Sequence, residues 1–123
     1  MKKKILIIDE VGFARICSAI LEHEGYGTSA VADVHQFESE CEHNDIGLVI
    51  TSYPYGAGLI EKIKMKKMKI PVIILSDHMS RDLMDALDHF DKTLSHCMIK
   101  PLDYHKFRTL VNETMKKDMT MDL

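Results

Sequence analysis

The sequence has no tryptophan, and aromatic residues make up only 7% of it. Its core must therefore be built largely from leucine, isoleucine and valine. Long apolar runs are also missing: none approaches the ~20 residues that span a bilayer. Lys2-Lys3-Lys4 leads into only Ile5-Leu6-Ile7-Ile8 before Asp9, too short for the core of a secretory leader. These absences predict a cytosolic protein with no membrane partner. Cysteines are few, and Cys17, Cys41 and Cys97 are widely spaced among apolar neighbours, a pattern of reduced, buried thiols rather than a disulfide framework or a zinc site. The seven histidines show no paired spacing, so none is assigned as a metal ligand. A basic excess is absent as well. The formal net charge of −3 argues against a dedicated nucleic-acid binder.

What is present is an ordinary globular composition, 46% apolar and 28% charged over 123 residues. That length suits one domain covering 1–123, with a polar, frayed tail from about Lys117. Ile5-Leu6-Ile7-Ile8, Gly47-Leu48-Val49-Ile50-Thr51 and Pro71-Val72-Ile73-Ile74-Leu75 are short, branched and apolar throughout, as strands covered on both faces must be. Thr28-Ser29-Ala30-Val31 and Cys97-Met98-Ile99 read as two more strands. Between them the period changes to that of helices. Phe13, Ile16, Cys17, Ile20 and Leu21 mark the first, stopped by Gly25, and Phe37 and Cys41 lie on the inner side of a weak second from about Val34 to His43. Leu59, Ile60 and Ile63 mark a third, Leu83, Met84, Leu87 and Phe90 a fourth, and Tyr104, Phe107, Leu110 and Val111 a fifth. Met84, Leu87, Phe90 and Cys97 are expected in the core. Alternation of this kind predicts an α/β fold: a doubly wound, five-stranded parallel sheet with helices on both faces, flavodoxin-like in order.

In such sheets chemistry gathers beyond the carboxyl ends of the strands. Asp9, Glu10, Ser52, Ser76 and Lys100 all fall at strand ends, which makes that edge the candidate site. With these positions in place the whole chain resembles the receiver domain of two-component response regulators, the CheY-like type. The likeness rests on four segments in order: Lys4–Glu10 with its acidic pair, Gly47–Ser52, Pro71–Ser76 with its hydroxyl, and Met98–Leu102 with a lysine-proline step. The resemblance implies that Asp9 and Glu10 bind Mg²⁺, that Ser76 senses a phosphoryl group, and that Lys100 pairs with it. The reason is physical, since phosphoryl transfer needs a cation, an ammonium and an in-line carboxylate.

Three positions depart from the family pattern. Ser52 stands where the acceptor aspartate belongs; a neutral hydroxyl binds Mg²⁺ poorly and cannot form an acyl phosphate. Asp77 follows the switch hydroxyl, where the family has a small residue, and adds bulk and like charge. Cys97 replaces the switch aromatic. The loop after Ser52 is also shorter than the family norm, with Pro54 early. Any Mg²⁺ site at Asp9 and Glu10 is thereby weakened by the missing third carboxylate, and no cofactor is otherwise expected. Lys100 is expected to pair with Asp9 or Asp77 instead.

Each residue also has a plainer reading. Asp9 and Glu10 suit the start of a helix, Ser76 a turn, Gly56 and Gly58 a relaxed loop. Lys62, Lys64, Lys66, Lys67 and Lys69 suit a solvated helix face. The expected function is a stand-alone, non-enzymatic pseudo-receiver of phosphorelay type that acts by protein contact. Its partner would be a histidine kinase, another regulator or an output protein, since no output domain follows Leu123. The surface of the fourth helix, fifth strand and fifth helix, with Arg81, Asp85, Asp88, His96 and Arg108, is the expected contact and homodimer face. The alternatives are an active receiver using another carboxylate, for which Asp77 is the nearest, and a flavodoxin-type small-molecule binder. The acidic loop after the first strand would repel a phosphate and disfavours the latter.

Overall fold

The computed structural model describes residues 3–88, 94–100 and 102–121, with side chains as far as residue 116. Its strands are β1 (Lys4–Ile8), β2 (Thr28–Val31), β3 (Ile46–Ser52), β4 (Val72–Ser76) and β5 (Ser95–Ile99). Helices α1 (Val11–His23), α2 (Phe37–His43), α3 (Ala57–Met65), α4 (Arg81–Leu87) and α5 (Tyr104–Met121) alternate with them. The strands form one parallel sheet in the order β2-β1-β3-β4-β5. Chain order and space order therefore part company between β1 and β3, the point where such sheets open a crevice at their carboxyl edge.

Strand alternation sorts the core into two layers. Ile5, Ile7, Leu48, Ile50, Ile73 and Leu75 pack with Ala14, Cys17 and Leu21 of α1 and Phe107, Val111 and Met115 of α5. Leu6, Ile8, Val49, Val72 and Ile74 face the other way, onto Phe37, Leu59, Ile60, Ile63 and Leu83 of α2, α3 and α4. Burial on both faces is why β1, β3 and β4 carry continuous apolar runs. The edge strands β2 and β5 are only partly covered and tolerate serine, threonine and histidine.

Several expectations shift by a few residues. β3 begins at Ile46 and β5 at Ser95, because Ile46 pairs with Lys4 and Ser95 with Val72; backbone pairing sets both boundaries, and at Ser95 and His96 it recruits side chains that carry little strand signal. The weak second helix is split. A 3₁₀ turn, Val34–Gln36, precedes α2, and the Asp33 carboxylate accepts the His35 N–H at 2.8 Å. α5 continues to Met121, past the fraying expected at Lys117. α1 ends as read, with Gly25 at a positive φ of 98° and its N–H on the Glu22 carbonyl.

Two core assignments are corrected. Ile16 is 54% exposed, because the inward stripe of α1 is Ala14, Cys17 and Leu21 and Ile16 lies beside it. Met84 is 56% exposed, since α4 turns Leu83 inward and Met84 a quarter turn away. Of the three free thiols Cys17 is buried, while Cys41 and Cys97 are half-buried. Phe90 and Pro101 lie outside the described residues. No helix among the described residues is long and apolar enough to cross a membrane.

Candidate functional site at the carboxyl edge of the sheet

Register brings the first two site residues together. Ile8 of β1 pairs with Thr51 of β3, so Asp9 and Ser52 are neighbours one step further on. By alternation both continue the layer that faces α1 and α5, Asp9 after Ile5 and Ile7, Ser52 after Leu48 and Ile50. They are 3% and 5% exposed. The Ser52 hydroxyl donates to Oδ2 of Asp9, and the Glu10 N–H donates to Oδ1 at 2.8 Å. A buried carboxylate is tolerated only when its oxygens are satisfied, and here one hydroxyl and one amide satisfy them from the chain itself. Among the described residues no buried side-chain nitrogen or oxygen lacks a hydrogen-bond partner.

Glu10 does not share this role. It occupies the N-cap position of α1 without a side-chain cap bond and is exposed. The helix-start reading therefore fits Glu10 by position, without a side-chain cap bond, while Asp9 turns into the crevice.

Ser76 and Lys100 part from the pair. Ser76 continues Val72 and Ile74 onto the opposite layer, and its hydroxyl donates to the His78 carbonyl at 2.9 Å. The turn reading of Ser76 holds. Lys100 follows Ile99, which pairs with Ser76, and its N–H reaches the Ser76 carbonyl at 2.8 Å. Its ammonium sits 4.8 Å from the centroid of the Phe13 ring on α1, a cation–π distance. Among the described residues Lys100 makes no ion pair with Asp9 or Asp77, contrary to the expectation above. β4 separates β5, which leads to Lys100, from β3, which carries Ser52, and Asp77 is exposed beyond the end of β4.

Cys17 reports the field beneath the crevice. Its thiol is pushed up to about 12 from 9.0, first by burial and then by the Asp9 carboxylate, with Lys100 opposing. A thiol so protected is inert rather than reactive. The thiol of Cys97, at the expected switch position, donates to the Met79 sulfur at 3.5 Å and is also raised by burial.

The residues present do not fit Mg²⁺. That ion wants near-octahedral oxygen ligands and is held by carboxylates, whereas Asp9 turns into the crevice without a second carboxylate beside it, Glu10 and Asp77 being exposed, and each of its oxygens already accepts one hydrogen bond. No group of three histidine, cysteine, aspartate or glutamate side chains converges among the described residues.

Three contributors escaped the sequence reading. Thr51 is fully buried, and its hydroxyl donates to the Ile8 carbonyl at 2.7 Å, tying β3 to β1 beside the pair. A polar residue ending an apolar run was its only signal. Gly56 lies so close to this threonine that a Cβ would meet Thr51 Oγ1 at 2.1 Å and the Ser52 carbonyl at 2.9 Å. Phe13, read as helix core, is the platform for Lys100.

Elsewhere the lysine stretch is tied to acidic side chains. Lys62 reaches Glu38 of α2 at 3.4 Å, Lys66 also pairs with Glu38, and Lys64 pairs with Glu61 at 3.4 Å. The Lys66 hydrogen bond is the main reason the Glu38 carboxyl is held below its ordinary range, with the charge of Lys62 adding to it. Two residues expected on the face of α4, β5 and α5 lie elsewhere. Asp85 lines a groove between α3 and α4 with Glu61 and Asp82, and Arg108 turns to Glu24, just past the end of α1, at 3.1 Å.

This architecture is that of the CheY-like receiver domains. A response regulator receiver domain protein from Methanospirillum hungatei superposes with a TM-score of 0.81 at 19% identity, over 98% of this chain and 99% of that one. The signal receiver domain of a putative Luxo repressor protein from Vibrio parahaemolyticus gives 0.80 at 18% identity, over 99% and 96%. A two-component response regulator from Clostridium difficile gives 0.78 at 19% identity, over 93% and 96%. No protein-family model and no curated protein sequence matches the chain.

Proposed function

We propose that this protein is a receiver-type signalling module that works without phosphorylation, in the cytosol, by binding another protein. The observation that carries the reading is the hydrogen bond from Ser52 to Asp9. At the position that the resemblance assigns to the acceptor, a hydroxyl stands in place of a carboxylate, and its O–H satisfies one oxygen of Asp9 that would otherwise be open to a cation. The pocket is therefore complete without a metal ion or a phosphoryl group. A phosphoserine would be a stable ester, unsuited to rapid reversible transfer, so the module is read as a binder and not an enzyme.

An apolar surface supports the contact role. Met79 and Ile99 are large and exposed, and half-buried Cys97 joins them through its contact with Met79. On α4, Asp82, Asp85 and Ala86 face α3, which leaves exposed Met84 on the side toward β5. The edge strand β5 runs through this face. Clustered exposed apolar side chains at a sheet edge suit a protein partner: a histidine kinase, another regulator, an output protein or a second copy of this chain.

The test is intact-mass spectrometry after incubation with acetyl phosphate and Mg²⁺. The expected spectrum shows the unmodified mass only. A hydroxylamine-labile phosphoryl adduct would overturn the reading and point to Asp77, the exposed carboxylate next along from the pocket.

A further inference from the structure

The loop between β3 and α3 is tied down at almost every residue. The Tyr53 N–H reaches the Leu75 carbonyl at 2.8 Å, the Gly56 N–H reaches the Ser52 carbonyl at 2.6 Å, and the Ala57 N–H reaches the Pro54 carbonyl at 3.1 Å. Tyr53 packs into the layer facing α2, α3 and α4. The tip residue, Tyr55, extends outward, and its phenol donates to the carbonyl of Ala32. Ala32 immediately follows β2, in a connection ordered by the Asp33 carboxylate on the His35 N–H at 2.8 Å.

Sheet order gives this bond its meaning. β1 lies between β2 and β3, so a link from the end of β3 to the end of β2 crosses two strand spacings, roughly 10 Å, and passes across the carboxyl end of β1. Asp9 stands at that end, bonded to Ser52. The link closes a ring: Ser52, the tight turn at Gly56, the Tyr55 side chain, Ala32, and back through Val31, whose carbonyl accepts the Asp9 N–H at 3.3 Å. The side chain in the ring is large and 38% exposed, while the Asp9–Ser52 pair at the end of β1 is almost fully buried.

We propose that Tyr55 is the latch of a strap across the end of β1, and that this strap controls access to the Asp9–Ser52 pair. Latched, it shields the pair from small reagents and couples the β2–α2 connection to the Ser52 loop. Released, it exposes the serine hydroxyl and frees the loop. The proposal concerns access alone and stands whether or not the protein works without phosphorylation.

Replacing Ser52→Cys puts a thiol inside the pocket as a reporter, to be alkylated with iodoacetamide and followed peptide by peptide. Adding Tyr55→Phe removes only the latching hydroxyl. The reporter thiol should then react about fivefold faster, the factor expected when one ordinary hydrogen bond is lost from a local opening equilibrium. Rates at Cys17, Cys41 and Cys97 should not change. An unchanged reporter rate, or an equal rise at buried Cys17, overturns the proposal, the second because it signals loosening of the whole core. Tyr55→Phe alone gives an independent reading: amide exchange at Gly56 should rise while that of β4 stays constant, and equal protection at Gly56 would sink the latch.

Discussion

The hydroxyl of Ser52 and the Oδ2 of Asp9 meet across the gap between β3 and β1, two buried polar groups that satisfy each other at the switch point of the sheet. Each is placed by strand alternation and register, and both are almost fully buried. Ser52→Ala should therefore cost about 1–3 kcal/mol, the penalty for a buried acceptor left without its donor. Chemical unfolding measures it, and a double-mutant cycle with Asp9→Asn should show non-additivity. Additive losses would mean the two side chains act independently.

Ser52→Asp tests the same contact with the opposite sign. It sets two carboxylates against each other in a dry crevice, and one must hold its proton or attract a cation. The variant should melt below the wild type in EDTA and recover on addition of Mg²⁺. The wild type should show no such gain, since a single carboxylate, Asp9, turns into the crevice and both its oxygens already accept hydrogen bonds. A wild-type melting temperature that rises with Mg²⁺ would contradict the absence of a fitting donor set.

Lys100 lies over the Phe13 ring rather than on a carboxylate. Lys100→Ala should then lower stability by only about 0.5–1 kcal/mol, and Phe13→Leu should remove most of that difference in a double-mutant cycle. A loss of several kcal/mol from Lys100→Ala alone would indicate a buried ion pair instead.

Gly56→Ala should destabilise the protein by about 1–3 kcal/mol through overpacking. Its φ is −91°, allowed for any residue, so the cost arises from the 2.1 Å approach of the new methyl to Thr51 Oγ1. Thermal unfolding reads the loss, and a melting temperature unchanged by the substitution would show that the loop shifts freely.

Alkaline pH should weaken the fold through Cys17. Its pKa rises from 9.0 to about 12 in the folded protein. Between those values the unfolded chain has released the thiol proton and the folded chain still holds it, so stability falls as pH rises, by at most about 1.4 kcal/mol per unit. The contribution is fully present below pH 9.0 and lost on rising through the folded value. Urea unfolding between pH 9 and 11 should show a shallower decline for Cys17→Ala than for the wild type; parallel slopes would exclude the thiol as the cause.

The proposed partner face has its own test. Met84→Glu and Ile99→Glu place charge on exposed residues, so folding should be unaffected while capture of a partner is lost. Capture that persists through both changes would move the interface elsewhere, for example to the groove between α1 and α5 lined by Ile20, His23 and Tyr104.

Much of the fold was written locally. Continuous branched runs at Ile5–Ile8, Leu48–Ile50 and Val72–Leu75 can be satisfied only by burial on both faces, and intervening helical periods require parallel crossovers. From those two constraints the doubly wound sheet and the gathering of Asp9, Ser52, Ser76 and Lys100 at one edge were legible. Local pattern also placed a hydroxyl, that of Ser52, at the end of the third strand. It was weakest where a residue's fate depends on neighbours remote in sequence. Ile16 and Met84 match a helical period yet lie outside, because which side of a helix faces inward is set by the sheet beneath.

The partners of the site residues belong to tertiary structure alone. Alternation sends Ser52 toward Asp9 and Ser76 to the other layer, and only the pairing of Ile8 with Thr51 puts the first two at one level. Whether Lys100 meets a carboxylate or a ring was decided by α1 carrying Phe13 under it, and the Tyr55 bond to Ala32 exists because strand order places β1 between them. Residue type determines what a side chain can bond to, and one sequence position fixes its strand or helix. Which partner lies within reach is a property of distant segments brought together, and that is settled by register and packing.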